Sequence, residues 1–154
     1  MAQIEFYVLE GSDARARWRF ACREVEKAYL AGEHVYVALE DEAELQAFDN
    51  LLWTFADRSF VPHEPLAASS AWDDTPVLLG TSAASPSGAQ TLVNLATPLP
   101  AGVAEAARVI EIIDADEGRR RAGRVRFRQY RERGLEPQTR NVGAKEAAAT
   151  SDGA

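Results

Sequence analysis

The sequence is poor in the residues that build most chemical sites. It holds one cysteine, Cys22, and two histidines, His34 and His63, in 154 residues. A single cysteine excludes an internal disulfide and a cysteine-based metal cluster. Neither histidine stands in a metal-ligand spacing. No run of 18 apolar residues occurs, which excludes a membrane-spanning helix by the usual length criterion. The opening MAQIEFYVLEG lacks the basic segment and apolar core of a secretory leader, so the expected compartment is the cytoplasm. The turn LEGSDAR after the first apolar run lacks G-x-G-x-x-G and G-x-x-x-x-G-K-[ST], so no glycine-lined phosphate cradle is visible. Excess positive charge is missing too. The net charge is −7, which argues against general nucleic-acid binding.

What is present is an alternation of strand and helix signals in a chain long enough for one real core. Ile4–Leu9 (IEFYVL) is a continuous apolar run that reads as a buried strand. Ser12 or Asp13 can cap the helix that follows. That helix runs to about Leu30 with Trp18, Cys22, Val25 and Tyr29 on one face, and Gly32 ends it. His34–Leu39 (HVYVAL) is a second buried strand, completing a βαβ unit. Glu40-Asp41-Glu42 opens a second helix, striped by Leu45, Phe48, Leu52 and Phe55. Pro76–Leu79, Thr91–Leu95 and Arg108–Ile113 read as further strands, with a short helix around Val103–Ala107. Asp114–Glu117 caps a last helix that runs to about Arg133 and stops at Gly134. The reading is one α/β domain over residues 1–135, a sandwich with a mostly parallel sheet. Glu136–Ala154 is polar, without periodicity, and is expected to be disordered.

Catalytic constellations do not emerge. Cys22 lies on the apolar helix face, where a thiol is inert core. Asp73-Asp74 falls in a loop, and Asp114 with Asp116 caps a helix. No nucleophile, base and oxyanion site assemble, so the chain reads as a non-enzyme without a cofactor.

Two stretches point to recognition instead. In Leu51–His63 (LLWTFADRSFVPH) a helix hands over to an extended run at Ser59–Pro62 across the polar break Ala56–Ser59. The aromatics Trp53 and Phe60 at such a junction are either core or an anchor pair for another protein. The second stretch is the last helix. Nine of the seventeen basic residues fall between Arg119 and Arg140, and all nine are arginine. On a helical wheel Arg120, Arg124, Phe127 and Arg131 lie within about 60° of one another. An aromatic among arginines, with the strand end Ile113 near in sequence, suits a peptide end that carries an aromatic side chain and a carboxylate. The competing readings are a solvated basic face, direct binding of nucleic acid by the arginines, and a degenerate nucleotide-binding α/β protein.

The strands IEFYVL and HVYVALEDE, the segment LLWTFADRSFVPH, and VIEII followed by RVRFRQYRERGL occur in an order that resembles the chi subunit of bacterial DNA polymerase III holoenzyme. The resemblance covers roughly residues 4–135. It implies a Rossmann-like three-layer α/β fold without a functional nucleotide-binding loop, and a non-catalytic adaptor in DNA replication. It implies that Trp53 and Phe60 face the psi subunit of the clamp-loader complex or an XPD-like helicase. It implies that Ile113, Arg120, Arg124 and Phe127 bind the acidic C-terminal tail of single-stranded-DNA-binding protein (SSB), which ends in Pro-Phe. Nucleic acid is then reached through SSB. In that pattern Arg124 pairs with the terminal carboxylate, Ile113 and Phe127 hold the last phenylalanine, and Arg120 sits on the rim. Position 127 carries Phe where Tyr is familiar and position 113 carries Ile where Val is familiar. The loop Pro65–Thr75, with Trp72, and the chain after Glu136 fall outside the pattern.

Overall fold

The computed structural model describes residues 2–56, 60–66, 72, 75–82, 86 and 88–143. Of the features singled out above, Asp57–Ser59, Asp73-Asp74 and the last eleven residues lie outside that set. The elements run β1 (Gln3–Leu9), α1 (Ala14–Leu30), β2 (Val35–Leu39), α2 (Glu42–Thr54), β3 (His63–Pro65), β4 (Val77–Thr81), β5 (Thr91–Asn94), a 3₁₀ turn (Ala101–Ala104), β6 (Arg108–Ile113), α3 (Glu117–Glu132) and β7 (Gln138–Val142).

Local chemistry sets the helix ends. Each helix opens on an aspartate whose side chain accepts a free backbone N–H: Asp13 from Arg15, Asp41 from Glu44 and Asp116 from Arg119. Two helices close on glycine with positive φ, Gly32 at +82° and Gly134 at +83°. Only glycine adopts that turn without steric cost.

The seven strands form one sheet in the order β3-β4-β2-β5-β6-β1-β7. Every neighbouring pair is parallel, so the expected mostly parallel sheet is parallel throughout among the described residues. Alternate strand residues feed two cores. Val35, Val37, Leu39, Val77, Leu79, Ile110 and Ile112 pack with α1 and α2 on one face. Ile4, Phe6, Tyr36, Leu78, Leu92 and Val109 pack with Val103 and Tyr130 on the other. The result is the three-layer Rossmann-like sandwich. α1 and α2 meet through an edge-to-face pair, Trp18 on Phe48, with ring centroids 5.6 Å apart. In the second core Tyr36 crosses β4, donating its hydroxyl to the Thr81 carbonyl at 2.6 Å. A β-carbon at Gly80 would collide with that hydroxyl, which is why the strand carries glycine there.

Four expectations are corrected. Gln138–Val142 is not irregular: it pairs with β1, from Glu5 opposite Gln138 to Leu9 opposite Val142. As an edge strand it buries only Val142, so the alternation that marks a strand is missing, and its backbone bonds to β1 place it instead. The extended run expected at Ser59–Pro62 becomes a strand only at His63, which pairs with Val77. The strand expected over Pro76–Leu79 starts and ends later, at Val77 and Thr81. The short helix around Val103 is the 3₁₀ turn at Ala101–Ala104, directly after Pro100.

Candidate functional site

α2 ends where its apolar stripe runs out, and its last turn carries Trp53 outward. Trp53 is 42% exposed and Phe60 67%. Their ring centroids lie 5.4 Å apart, so the two aromatics form one surface. Of the two alternatives, core is excluded for Phe60, and Trp53 is only partly buried. Trp53 rests on His63, centroid to centroid 4.1 Å. His63 is buried and held at both ring nitrogens: Nδ1 lies 2.6 Å from the Val61 carbonyl oxygen, Nε2 3.1 Å from the Asp49 carbonyl oxygen. Asp49 Oδ1 is also 3.1 Å from Nε2. The ring thus pins the Trp53 platform to α2 and to the segment before β3. His34 directly precedes β2, two strands in from β3, and is stacked on Trp72 with ring centroids 4.8 Å apart. Cys22 is fully buried and free, and burial pushes its thiol far above the ordinary range.

The second surface lies on α3. Arg124 and Arg131 are exposed, and Arg120 and Phe127 half-buried. Phe127 leans on Phe6 of β1, ring centroids 5.3 Å apart and tilted by 53°. Arg120 is tethered by its Nε, which donates to the Asp114 carbonyl oxygen at 3.1 Å. Arg124 forms no ion pair or side-chain hydrogen bond among the described residues. Ile113 lies beneath the helix, 8% exposed. Gly123 lets the helix come this close, since a β-carbon there would stand 3.1 Å from Ile113 Cδ1. Ile113 and Phe127 belong to the same apolar cluster. The four residues are thus gathered along one side of α3, with Ile113 as an almost closed floor beneath Gly123 rather than an open slot.

The polar machinery that seats α3 has no signature in the sequence. Glu111 in the middle of β6 is fully buried. Its carboxylate accepts from Arg126 Nε at 3.0 Å, from the Tyr130 hydroxyl at 2.6 Å and from Asn94 Nδ2 at 3.1 Å on both oxygens. Arg126 also donates to the Thr97 carbonyl at 2.9 Å. The three donors come from β5 and from two turns of α3, so no local pattern announces them. Burial raises the Glu111 carboxyl, opposed by the Arg126 charge and by the three donors.

Asp114 anchors the first turn of α3. Arg119 reaches it through two bonds of 2.8 Å, and the Asp116 N–H donates at 3.1 Å. Burial alone would raise its carboxyl. The Arg119 and Asp116 hydrogen bonds, together with the Arg119 and Arg17 charges, outweigh it and hold the pKa below the ordinary value. The unfolded chain then binds the proton more readily, so stability rises with pH. That contribution is complete above the unfolded carboxylate value of about 4 and is lost as pH falls through the lower folded value. Thermal melts should therefore show a drop in stability below about pH 4. Asp114→Asn should flatten that part of the profile; an unchanged acid slope in the variant would remove Asp114 from the account.

No group of three or more histidine, cysteine, aspartate or glutamate side chains placed to hold a metal occurs among the described residues. None of their helices is long and apolar enough to cross a membrane.

Comparison with known proteins matches residues 1–138 to a family described as DNA polymerase III chi subunit, HolC. The DNA polymerase III subunit chi of Pseudomonas aeruginosa is 37% identical over 134 residues, covering 87% of this chain and 92% of that protein. The subunit chi of Escherichia coli K12 is 25% identical over 140 residues, covering 88% and 95%. Among solved structures, Saccharomyces cerevisiae Dbp5 bound to RNA and ADP BeF3 superposes with a TM-score of 0.62 at 9% identity. That match covers 96% of this chain and 44% of Dbp5, and at such low identity the likeness is one of fold alone.

Proposed function

Since the chain belongs to the chi-subunit family of DNA polymerase III, we propose that it is a non-catalytic adaptor of the replication machinery in the cytoplasm. In this reading α3 takes the C-terminal tail of SSB, and the Trp53–Phe60 surface takes psi, or an XPD-like helicase in its place. One observation carries it: the exposed Arg124 guanidinium has no ion-pair partner among the described residues and lies on the same helix face as the half-buried Phe127 ring and the tethered Arg120. A guanidinium fork matches a carboxylate bidentately. An aromatic ring beside it matches a terminal phenylalanine. The acids upstream in such a tail meet Arg120 and its neighbours. Ile113, nearly closed beneath Gly123, supplies the apolar floor once the terminal ring presses on the helix.

The test is a calorimetric titration of the full chain with an acidic peptide ending in Pro-Phe. Binding is expected near 1 μM, about −8 kcal/mol, and should weaken as salt rises because the contacts are exposed charges. Arg124→Ala should weaken it by about tenfold or more. Binding that survives that change moves the site off Arg124. No binding at low salt would overturn the adaptor reading. The rival nucleic-acid reading predicts a gel shift of bare single strands without SSB. The net charge of −7 disfavours it.

A further inference from the structure

The hydrogen-bond partners of His63 do not suit a neutral ring. The side chain is fully closed from solvent, and that of Asp49 is 20% exposed. Nδ1 lies 2.6 Å from the Val61 carbonyl oxygen. Nε2 lies 3.1 Å from the Asp49 carbonyl oxygen and 3.1 Å from Asp49 Oδ1. All three neighbours are oxygen acceptors. A neutral imidazole carries one N–H and one lone pair. Either neutral tautomer therefore aims a lone pair at an oxygen in a buried place, which leaves polar groups there without a partner. With a hydrogen on each nitrogen every contact becomes a donation, and the Asp49 carboxylate supplies the balancing charge.

Among the described residues the other elements around the ring bring no competing cation. β4 presents Val77, which is in register with His63 and belongs to the apolar core. Glu64 is in register with Leu78 of the second core, so its side chain alternates to the other face of the sheet. α2 presents Asp49 and Trp53, and its other acids, Glu42 and Glu44, sit in its first turn. The residues leading to the ring, Phe60, Val61 and Pro62, carry no titratable side chain. Trp53 stands on the ring, with centroids 4.1 Å apart and planes tilted by 39°, which is within reach of cation–π attraction. Phe60 leans on Trp53 in turn, at 5.4 Å. The Asp49 carbonyl also lies one helical turn before Trp53, where the helix repeat pairs it with the Trp53 backbone N–H. The proton, the helix backbone and the indole therefore meet at one point.

We infer that His63 is a positioning residue that holds the Trp53–Phe60 surface in its binding form as an imidazolium, so that attachment of a partner there is linked to a proton. The role in attachment rests on the adaptor reading; the coupling of the proton to the indole does not. The acceptors set the direction. The surface is complete on the acid side of the His63 titration. On the alkaline side one nitrogen loses its hydrogen, a lone pair opposes an oxygen, and the ring and the indole above it lose their fixed arrangement. A partner then binds only the protonated fraction.

The test follows the full chain by NMR from about pH 5 to about pH 9. Side-chain nitrogen spectra distinguish a ring protonated on both nitrogens from either neutral tautomer, and the Trp53 indole N–H reports the platform. A doubly protonated ring is expected at the acid end, with a Trp53 signal that moves at the same midpoint as the ring. Asp49→Asn removes the counter-charge and keeps the carbonyl, so its ring should lose the proton at lower pH and the Trp53 midpoint should follow. This variant carries the test even if His63→Gln compromises folding. His63→Gln keeps a donor without a titration and should leave the Trp53 signal flat. His34→Gln removes the other histidine, which stacks on Trp72, and should leave the Trp53 titration in place. Affinity for a psi-type partner should drop about fivefold between the midpoint and one pH unit above it, as the protonated fraction does, and that step should vanish in His63→Gln. A neutral tautomer throughout, a Trp53 signal that does not follow the ring, an unmoved midpoint in Asp49→Asn, or partner affinity without the step would each overturn the proposal. A partner that binds at no pH while ring and indole titrate together upholds the coupling and overturns the adaptor reading instead.

Discussion

Replacing Glu111 of β6 by alanine should be the most damaging single change beneath α3, costing about 3–5 kcal/mol. The substitution leaves the Arg126 guanidinium, 3% exposed, without its carboxylate. It also strands the Tyr130 hydroxyl and the Asn94 amide, whose acceptor was the same group. Each stranded donor pays its desolvation in full, whereas an intact bond contributes only a modest net amount. A single domain of this size has a total stability of about 5–15 kcal/mol, so the variant should melt far earlier or accumulate unfolded. The charge pair itself need not be stabilising. Glu111→Leu combined with Arg126→Met should recover much of the loss, because a packed apolar pair avoids the desolvation of both ions. Chemical denaturation of the three proteins decides this. A Glu111→Ala chain within about 1 kcal/mol of wild type would show that water reaches the network and that it does not seat α3.

The second large effect is expected in binding rather than folding. Trp53→Ala should weaken attachment of a psi-type partner by about 30-fold or more, the 2 kcal/mol scale of an aromatic hot spot. The same change should leave the melting temperature within a few degrees, because the side chain is 42% exposed and its neighbour Phe60 67%. Phe60→Ala should act in the same direction. The two changes should not be additive, since the rings touch. Affinity measured by surface-immobilised partner, alongside thermal melts, separates the possibilities. Wild-type affinity in Trp53→Ala would remove this surface from partner binding, and a large melting loss would return Trp53 to the core. Peptide binding at Arg124 should be unaffected in either case, as that helix lies on the opposite face of the sheet.

The sequence alone determined the elements whose signal is local. Mostly apolar runs marked β1, β2 and β6, because strands buried on both faces need apolar residues at most positions. Aspartates and glycines marked both ends of α1 and α3, because free backbone groups at helix ends must find partners nearby. The wheel that places Arg120, Arg124 and Phe127 on one face follows from helical period alone. Tertiary structure decided the rest. Whether Phe60 is core or surface depended on what packs around it, and among the described residues it is left 67% exposed beside Trp53. β7 exists because β1 offers it an edge, not because its residues ask to be a strand. The Glu111 network joins residues from β5, β6 and α3, and Arg17 reaches the Ile112 and Leu95 carbonyls only when α1 is laid beside the ends of β5 and β6. Spacing along a chain fixes direction within one element; charge balance and exposure are properties of several elements brought together, and only the fold assembles them.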